Sequence, residues 1–150
     1  MIVYRLSKEK FAKDLSGKGA EMAGGRWNSK GNPMLYTSQS IALCVTEIAV
    51  HVPLGILPKD YQLIHIEIPD TDFLEVKRLS KDWQSFPHAN ATQMIGDKFL
   101  KDQKFLFMKV PSATVQGEFN FLINPWHKDF NKIKILKIEN FTFDERLFKR

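Results

Sequence analysis

Glu47 is the residue whose setting most demands chemistry. It lies in Ser40-Ile41-Ala42-Leu43-Cys44-Val45-Thr46-Glu47-Ile48-Ala49-Val50-His51, a stretch that is apolar almost throughout. At about 100° per residue, Ser40, Glu47 and His51 share one narrow stripe, with Leu43, Cys44 and Val50 close beside it. A helix that is apolar all round is a buried one. An unpaired carboxylate on such a helix is costly, so Glu47 needs hydrogen-bond donors or a ligand. The alternative is a partly solvated glutamate with His51 one turn on, and the helix alone leaves both readings open. For His51 itself the two readings are an orienting partner of Glu47 and an ordinary core histidine.

A glycine-rich segment precedes this helix. Residues 16–33 hold Gly17, Gly19, Gly24, Gly25 and Gly31, most of the chain's 8 glycines. Neither familiar phosphate cradle is present. The dinucleotide fingerprint needs a third glycine where Met22 stands, and the P-loop needs Lys-Ser/Thr where Gly25-Arg26 follow. What remains is Gly24-Gly25-Arg26-Trp27-Asn28. Its glycines let backbone approach a ligand closely, and Arg26 offers a fixed-charge fork for phosphate oxygens or a carboxylate. Trp27 adds a flat apolar wall. The competing picture is a loop pinned by a buried tryptophan with a surface arginine. Arg5 is a second permanent charge within an apolar strand, unless it sits on a solvated edge. Tyr36 ends a short extended piece, where a plain core tyrosine is the commoner fate. Pro111-Ser112-Ala113 puts a hydroxyl at the end of an apolar strand, either a site residue or a turn serine.

The elements that must position these groups are legible from periodicity. Residues 2–6 predict a first strand, followed by a helix with Phe11 and Leu15 one turn apart. Residues 34–36 are extended and lead into the Glu47 helix, which Pro53 ends. Residues 62–68 alternate, with Ile64, Ile66 and Ile68 on one face and His65 and Glu67 on the other. Residues 83–91 read as loop. Residues 92–101 predict a short helix with Met94, Ile95 and Phe99 inward. Strands are expected at 105–110, at 119–123 and within 132–143, the first two halted by Pro111-Ser112 and Asn124-Pro125. Strands and helices do not alternate regularly, so the expected class is α+β, in one domain over 1–150.

Composition narrows the function less. The chain is 43% hydrophobic and 26% charged, an ordinary globular balance. Its net charge of +5 admits nucleic acid, a phosphate-bearing ligand or an acidic protein as partner and selects none. Cys44 is the single cysteine, which excludes an internal disulfide and suits a reducing compartment. The histidines have no ligand-like spacing, so no metal is expected. The N-terminus turns polar too early for a signal peptide and no apolar run is long enough to span a bilayer, so a cytoplasmic protein without membrane association is expected.

Taken in order, several segments resemble the RES domain, a family named for its Arg, Glu and Ser. They are Tyr4-Arg5-Leu6, Gly24-Gly25-Arg26-Trp27-Asn28-Ser29-Lys30-Gly31-Asn32-Pro33, Leu35-Tyr36-Thr37 and Glu47-Ile48-Ala49-Val50-His51. Thr92-Gln93-Met94-Ile95-Gly96-Asp97, Val110-Pro111-Ser112-Ala113 and Asn120-Phe121-Leu122-Ile123-Asn124-Pro125 follow. The resemblance implies an ADP-ribosyltransferase-like fold of mixed and antiparallel strands with a few short helices. It also implies the toxin half of a bacterial toxin–antitoxin pair, opposed by an antitoxin with an Xre-type helix-turn-helix domain. Such toxins act on NAD, by hydrolysis or phosphorolysis of the nicotinamide–ribose bond or by transfer of ADP-ribose to a protein. By matching motifs it points to Glu47, Arg26 and Ser112 as catalytic and to Arg5, Arg26, Tyr36 and Ser112 as NAD-binding, with NAD as substrate and no metal. Those roles would leave direct nucleic-acid binding to the antitoxin complex. A basic nucleic-acid-binding module is the rival of a different class, but it would give Glu47 and Ser112 nothing to do.

Overall fold

The computed structural model describes residues 1–149. Strands β1 (Ile2–Lys8), β2 (Leu35–Ser38), β3 (Tyr61–Glu67), β4 (Leu74–Glu75), β5 (Phe107–Pro111), β6 (Phe119–Ile123) and β7 (Lys134–Phe141) form one sheet of order β4-β5-β6-β2-β1-β3-β7. Every pairing is antiparallel except β4 with β5, so the sheet is mixed. Helices α1 (Lys18–Ala23), α2 (Ile41–His51) and α3 (Asn90–Asp102) complete an α+β fold, the class expected from the sequence.

Strand alternation sorts the core onto two faces. Val3, Leu35, Ile64, Ile66, Phe107, Phe121 and Ile123 pack together on one face, under Ala12, Leu15 and Phe130. On the other, Leu6, Leu63 and Cys44 pack beneath α2, while Met108, Leu122, Trp27, Phe99 and Leu100 pack beneath α3. The glycine loop and α3 meet closely. A Cβ at Gly96 would lie 1.6 Å from the Trp27 carbonyl oxygen, so only glycine fits that helix position.

Several expectations need correction. The helix placed around Phe11 and Leu15 is instead a 3-10 turn at Glu9–Phe11, and Phe11 is 50% exposed. Arg5 Nη1 donates to the carbonyl oxygens of Phe11 (3.4 Å) and Asp14 (3.2 Å), and the Phe11 carbonyl also accepts from Asp14 N at 3.0 Å, a bond of 3-10 rather than α spacing. The glycine-rich segment, by contrast, contains α1. Gly17 precedes that helix at φ 72°, where a Cβ would lie 2.7 Å from the Met34 nitrogen, and Gly24 closes it by donating to Ala20 O. In α3, Ile95 and Phe99 do face inward, but Met94 is 70% exposed. The buried stripe runs through Thr92, Gly96, Phe99 and Leu100, at helical spacing. Helix α2 is not buried all round either: Leu43 and Cys44 are buried, while Ala42, Val50 and His51 are exposed.

Candidate active site

The sheet is nearly severed in its middle. β1 and β2 share one registered pair, Tyr4 with Ser38, although β1 pairs with β3 along its whole length and β2 pairs with β6 at every residue. Beyond that pair the strands separate, and residues 5–7 and 35–37 face each other without a ladder. A cleft of about 640 Å³ opens there, within the range of about 300–1,000 Å³ usual for small-molecule sites. Tyr4, Arg5, Tyr36, Glu47, His51 and Asn120 are among its lining residues.

Ser40 caps α2 by accepting from Leu43 N at 3.1 Å, and Glu47 follows two turns later at the cleft wall. Its carboxylate is held from three sides. Ser112 Oγ donates to Oε1 at 2.9 Å, Asn120 Nδ2 to Oε1 at 3.0 Å and Thr114 Oγ1 to Oε2 at 3.1 Å. An ionised carboxylate offers about four acceptor directions. Three are occupied, and the remaining one is on Oε2.

Ser112 is buried and its hydroxyl is fully engaged. It donates to Glu47 and accepts from Thr114 N (3.1 Å) and Val115 N (3.0 Å), a turn that follows directly on β5. Its capacity therefore goes to orienting Glu47. Asn120 is likewise fixed, because Ser38 Oγ donates to its Oδ1 at 2.7 Å. Thr114 and Asn120 are the site residues that sequence reasoning missed. Asn120 carried the same signal as Arg5, a polar side chain inside an apolar strand, and Thr114 stands two residues past the turn serine.

Arg5 lines the cleft from β1. Burial pulls its guanidinium below the usual arginine range, with Asp14 opposing that shift. Only Nη1 has protein partners among the described residues, so Nε and Nη2 remain for a ligand. Tyr36 presents its ring to the cleft. Its hydroxyl donates to Asn28 Oδ1 at 2.6 Å and accepts from Trp27 N at 3.2 Å, and burial pushes the phenol far above its ordinary value. A Cβ at Gly25 would lie 2.6 Å from that hydroxyl, which accounts for the second glycine of the pair.

Arg26 is placed differently from the sequence expectation. It is not among the residues lining the cleft, and its Nη1 donates to the carbonyls of Trp83 (2.6 Å) and Ser85 (3.1 Å). Burial lowers its pKa, while Glu47 and then Tyr36 act in the opposite direction, so its charge is felt at the carboxylate. His51 lines the cleft but is exposed and makes no hydrogen bond to Glu47. Cys44, one turn before Glu47, is buried, and burial pushes its thiol up to about 11. Among the described residues no cluster of His, Cys, Asp or Glu is arranged to hold a metal, and no helix is long and apolar enough to cross a membrane.

The fold is also seen in a toxin–antitoxin assembly. The chain superposes on a chain of the M. tuberculosis MbcT–MbcA toxin–antitoxin complex with a TM-score of 0.76 at 20% identity, covering 98% of this chain and 86% of that one. The protein itself belongs to the RES domain family, whose model matches residues 2–144. It is 38% identical to a protein named Toxin Res from Photorhabdus laumondii, over 99% of this chain and 98% of that protein. It is also 35% identical to a Prs ADP-ribosylating toxin from Sphingobium sp., over 93% and 89% respectively.

Proposed function

We propose that this chain is the toxin of a bacterial toxin–antitoxin pair and consumes NAD by breaking its nicotinamide–ribose bond. The observation that carries the reading is the carboxylate of Glu47, held by three donors on the wall of a cleft that also exposes the free donors of Arg5. The bond electrons leave with nicotinamide, which departs as a neutral ring and needs no general acid. The ribose is left with oxocarbenium character, as in glycoside hydrolysis. Glu47 stabilises that charge or orients a ribose hydroxyl through the acceptor direction left on Oε2. The apolar wall of Leu6, Met34, Leu35 and Ile48 lowers the local dielectric and strengthens the attraction. A water or phosphate oxygen then bonds to the ribosyl carbon, and water gives up its proton in doing so.

Arg5 grips the pyrophosphate through Nε and Nη2, each charge-assisted bond contributing about 1.5–3 kcal/mol. Tyr36, its hydroxyl already committed, offers its ring to the cationic nicotinamide. Arg26, whose charge couples to Glu47 and Tyr36, adds a second cation near the carboxylate while its Nη1 pins residues 83–85. Transfer of ADP-ribose to a protein is the second reading, favoured by the name of the Sphingobium relative. The partner is an Xre-type antitoxin, and the chain's net charge of +5 favours an acidic segment on it.

The test is release of nicotinamide from NAD by purified chain, with and without phosphate. The wild type should release it, and Glu47→Gln, which keeps the shape and removes the charge, should lose at least about a hundredfold in rate. Labelled NAD identifies the acceptor: free ADP-ribose, its phosphate, or a labelled protein. NAD that stays intact under every condition would sink the proposal.

A further inference from the structure

The cleft extends further than chemistry at Glu47 requires. Past Arg5 its lining continues to Phe11, on the 3-10 turn, and to Met22, on α1. These are its most exposed large apolar side chains, at 50% and 70%. Neither has a structural reason to be apolar, because neither belongs to a core cluster. The Lys10 ammonium sits 5.0 Å from the centroid of the Phe11 ring, and Lys18 lines the same cleft. The backbone beside them is open, since a Cβ at Gly19 would meet nothing within 4 Å.

The cleft offers an anion at Glu47, a half-buried cation with unused donors at Arg5 with Asp14 beside it, and an exposed aromatic and thioether pair among lysines. A dinucleotide presents the complementary set: a ribosyl cation, a pyrophosphate and a flat purine. We propose that Phe11 and Met22 form the purine subsite of this cleft, a step that rests on the NAD reading above. Phe11 stacks on the base, and Met22 supplies a polarisable sulfur contact of the kind aromatic rings favour. Arg5 couples the two ends, because the guanidinium that meets the phosphates also bonds the Phe11 and Asp14 carbonyls that shape the turn. An apolar peptide would have little use for a cation with free donors in the same cleft as the exposed ring. A nucleotide uses both.

Binding measurements on the full chain test this without requiring turnover. The probes are ADP, which carries the purine and pyrophosphate, and inorganic pyrophosphate, which lacks the purine. Phe11→Ala should weaken ADP about five- to tenfold, toward the low end of base–aromatic stacking because the ring is half exposed. Phe11→Trp should restore ADP binding, and the loss should be confined to ADP, whereas Arg5→Ala should weaken both probes. Equal ADP affinity in wild type and Phe11→Ala, failure of Phe11→Trp to restore it, or no ADP binding by the wild type would each overturn the subsite. Nicotinamide release from NAD, measured on the same wild-type sample, reports separately on the cleavage reading. A chain that binds ADP through Phe11 but leaves NAD intact keeps the subsite and loses the cleavage reading.

Discussion

Thr114→Val removes one hydrogen bond from the Glu47 carboxylate, which the proposed mechanism makes catalytic, and little else. The two side chains have nearly the same shape, and among the described residues the only bond made by the Thr114 hydroxyl is the 3.1 Å donation to Glu47 Oε2. Two effects of opposite sign follow. Losing a donor concentrates negative charge on Oε2, which by itself would strengthen its pull on an oxocarbenium ion. Losing it also frees that oxygen to swing away, and a misplacement of about 1 Å can cost a hundredfold in rate. The charge effect is small, because Glu47 is only half-buried and water replaces the missing donor. Positioning therefore wins. A bond to a charged group is worth about 1.5–3 kcal/mol, and partial exposure argues for the lower figure. The expected result is a fall in kcat of about tenfold with KM nearly unchanged, read from initial rates of nicotinamide release. Asn120→Ala should lower kcat to a similar extent through Oε1. Because both act on one carboxylate, the double variant should depart from additivity. A kcat for Thr114→Val that is unchanged or raised, in a variant with wild-type circular dichroism, would refute the positioning argument.

Arg26→Ala should act mainly on the fold. It deletes bonds to the carbonyls of Trp83 and Ser85, so stability should fall by about 2 kcal/mol and the thermal midpoint by roughly 4–8 °C. Its KM for NAD should rise less than that of Arg5→Ala, and a larger rise would return Arg26 to direct substrate contact. Cys44 supplies a pH dependence with a definite sign. Its folded thiol is raised from 9.0 to about 11, so its contribution to stability is fully present below pH 9 and is lost as pH rises through 11. Over that window the wild type should lose about 2 kcal/mol more stability than Cys44→Ala, and parallel melting curves would exclude the effect.

The sheet was more legible in the sequence than the site. Alternation at Ile64, Ile66 and Ile68 placed β3 and its buried face correctly, because a strand buried on one side has little choice of register. The residues at 9–15 misled because their helix-like spacing competes with a tertiary contact. Arg5, adjacent in space but distant in spacing, bonds the Phe11 and Asp14 carbonyls and holds the segment in a turn. Glycines read as loop turned out to bracket α1, since periodicity gives no signal in a helix as short as Lys18–Ala23. Glu47, Ser112 and Tyr36 stood out as polar groups in apolar company. Asn120 stood out only as a polar side chain in an apolar strand and Thr114 not at all, and no local pattern encodes their contact with Glu47 across more than sixty residues. Arg26 was read from its charge, its glycine-loop setting and its motif, and none of these says which acceptors the fold brings within reach.

The parted sheet explains how side chains from distant segments come to line one cleft. Where β1 and β2 separate, backbone groups of residues 5–7 and 35–37 lose the partners an unbroken ladder would give them. Leaving such groups without partners is costly unless water or a ligand replaces the ladder. The rims bear that cost because each is tied elsewhere, β1 to β3 from Ile2 to Lys8 and β2 to β6 from Leu35 to Ser38. Side chains on strands held so firmly move little. That suits a mechanism resting on a fixed charge rather than on proton transfer by a mobile acid, because fixed donors and charges need no reorganisation as the bond breaks. The same geometry makes the gap the weakest seam of the sheet. A ligand that reaches from Glu47 to Arg5 touches both halves at once, so its binding energy also becomes stability of the fold.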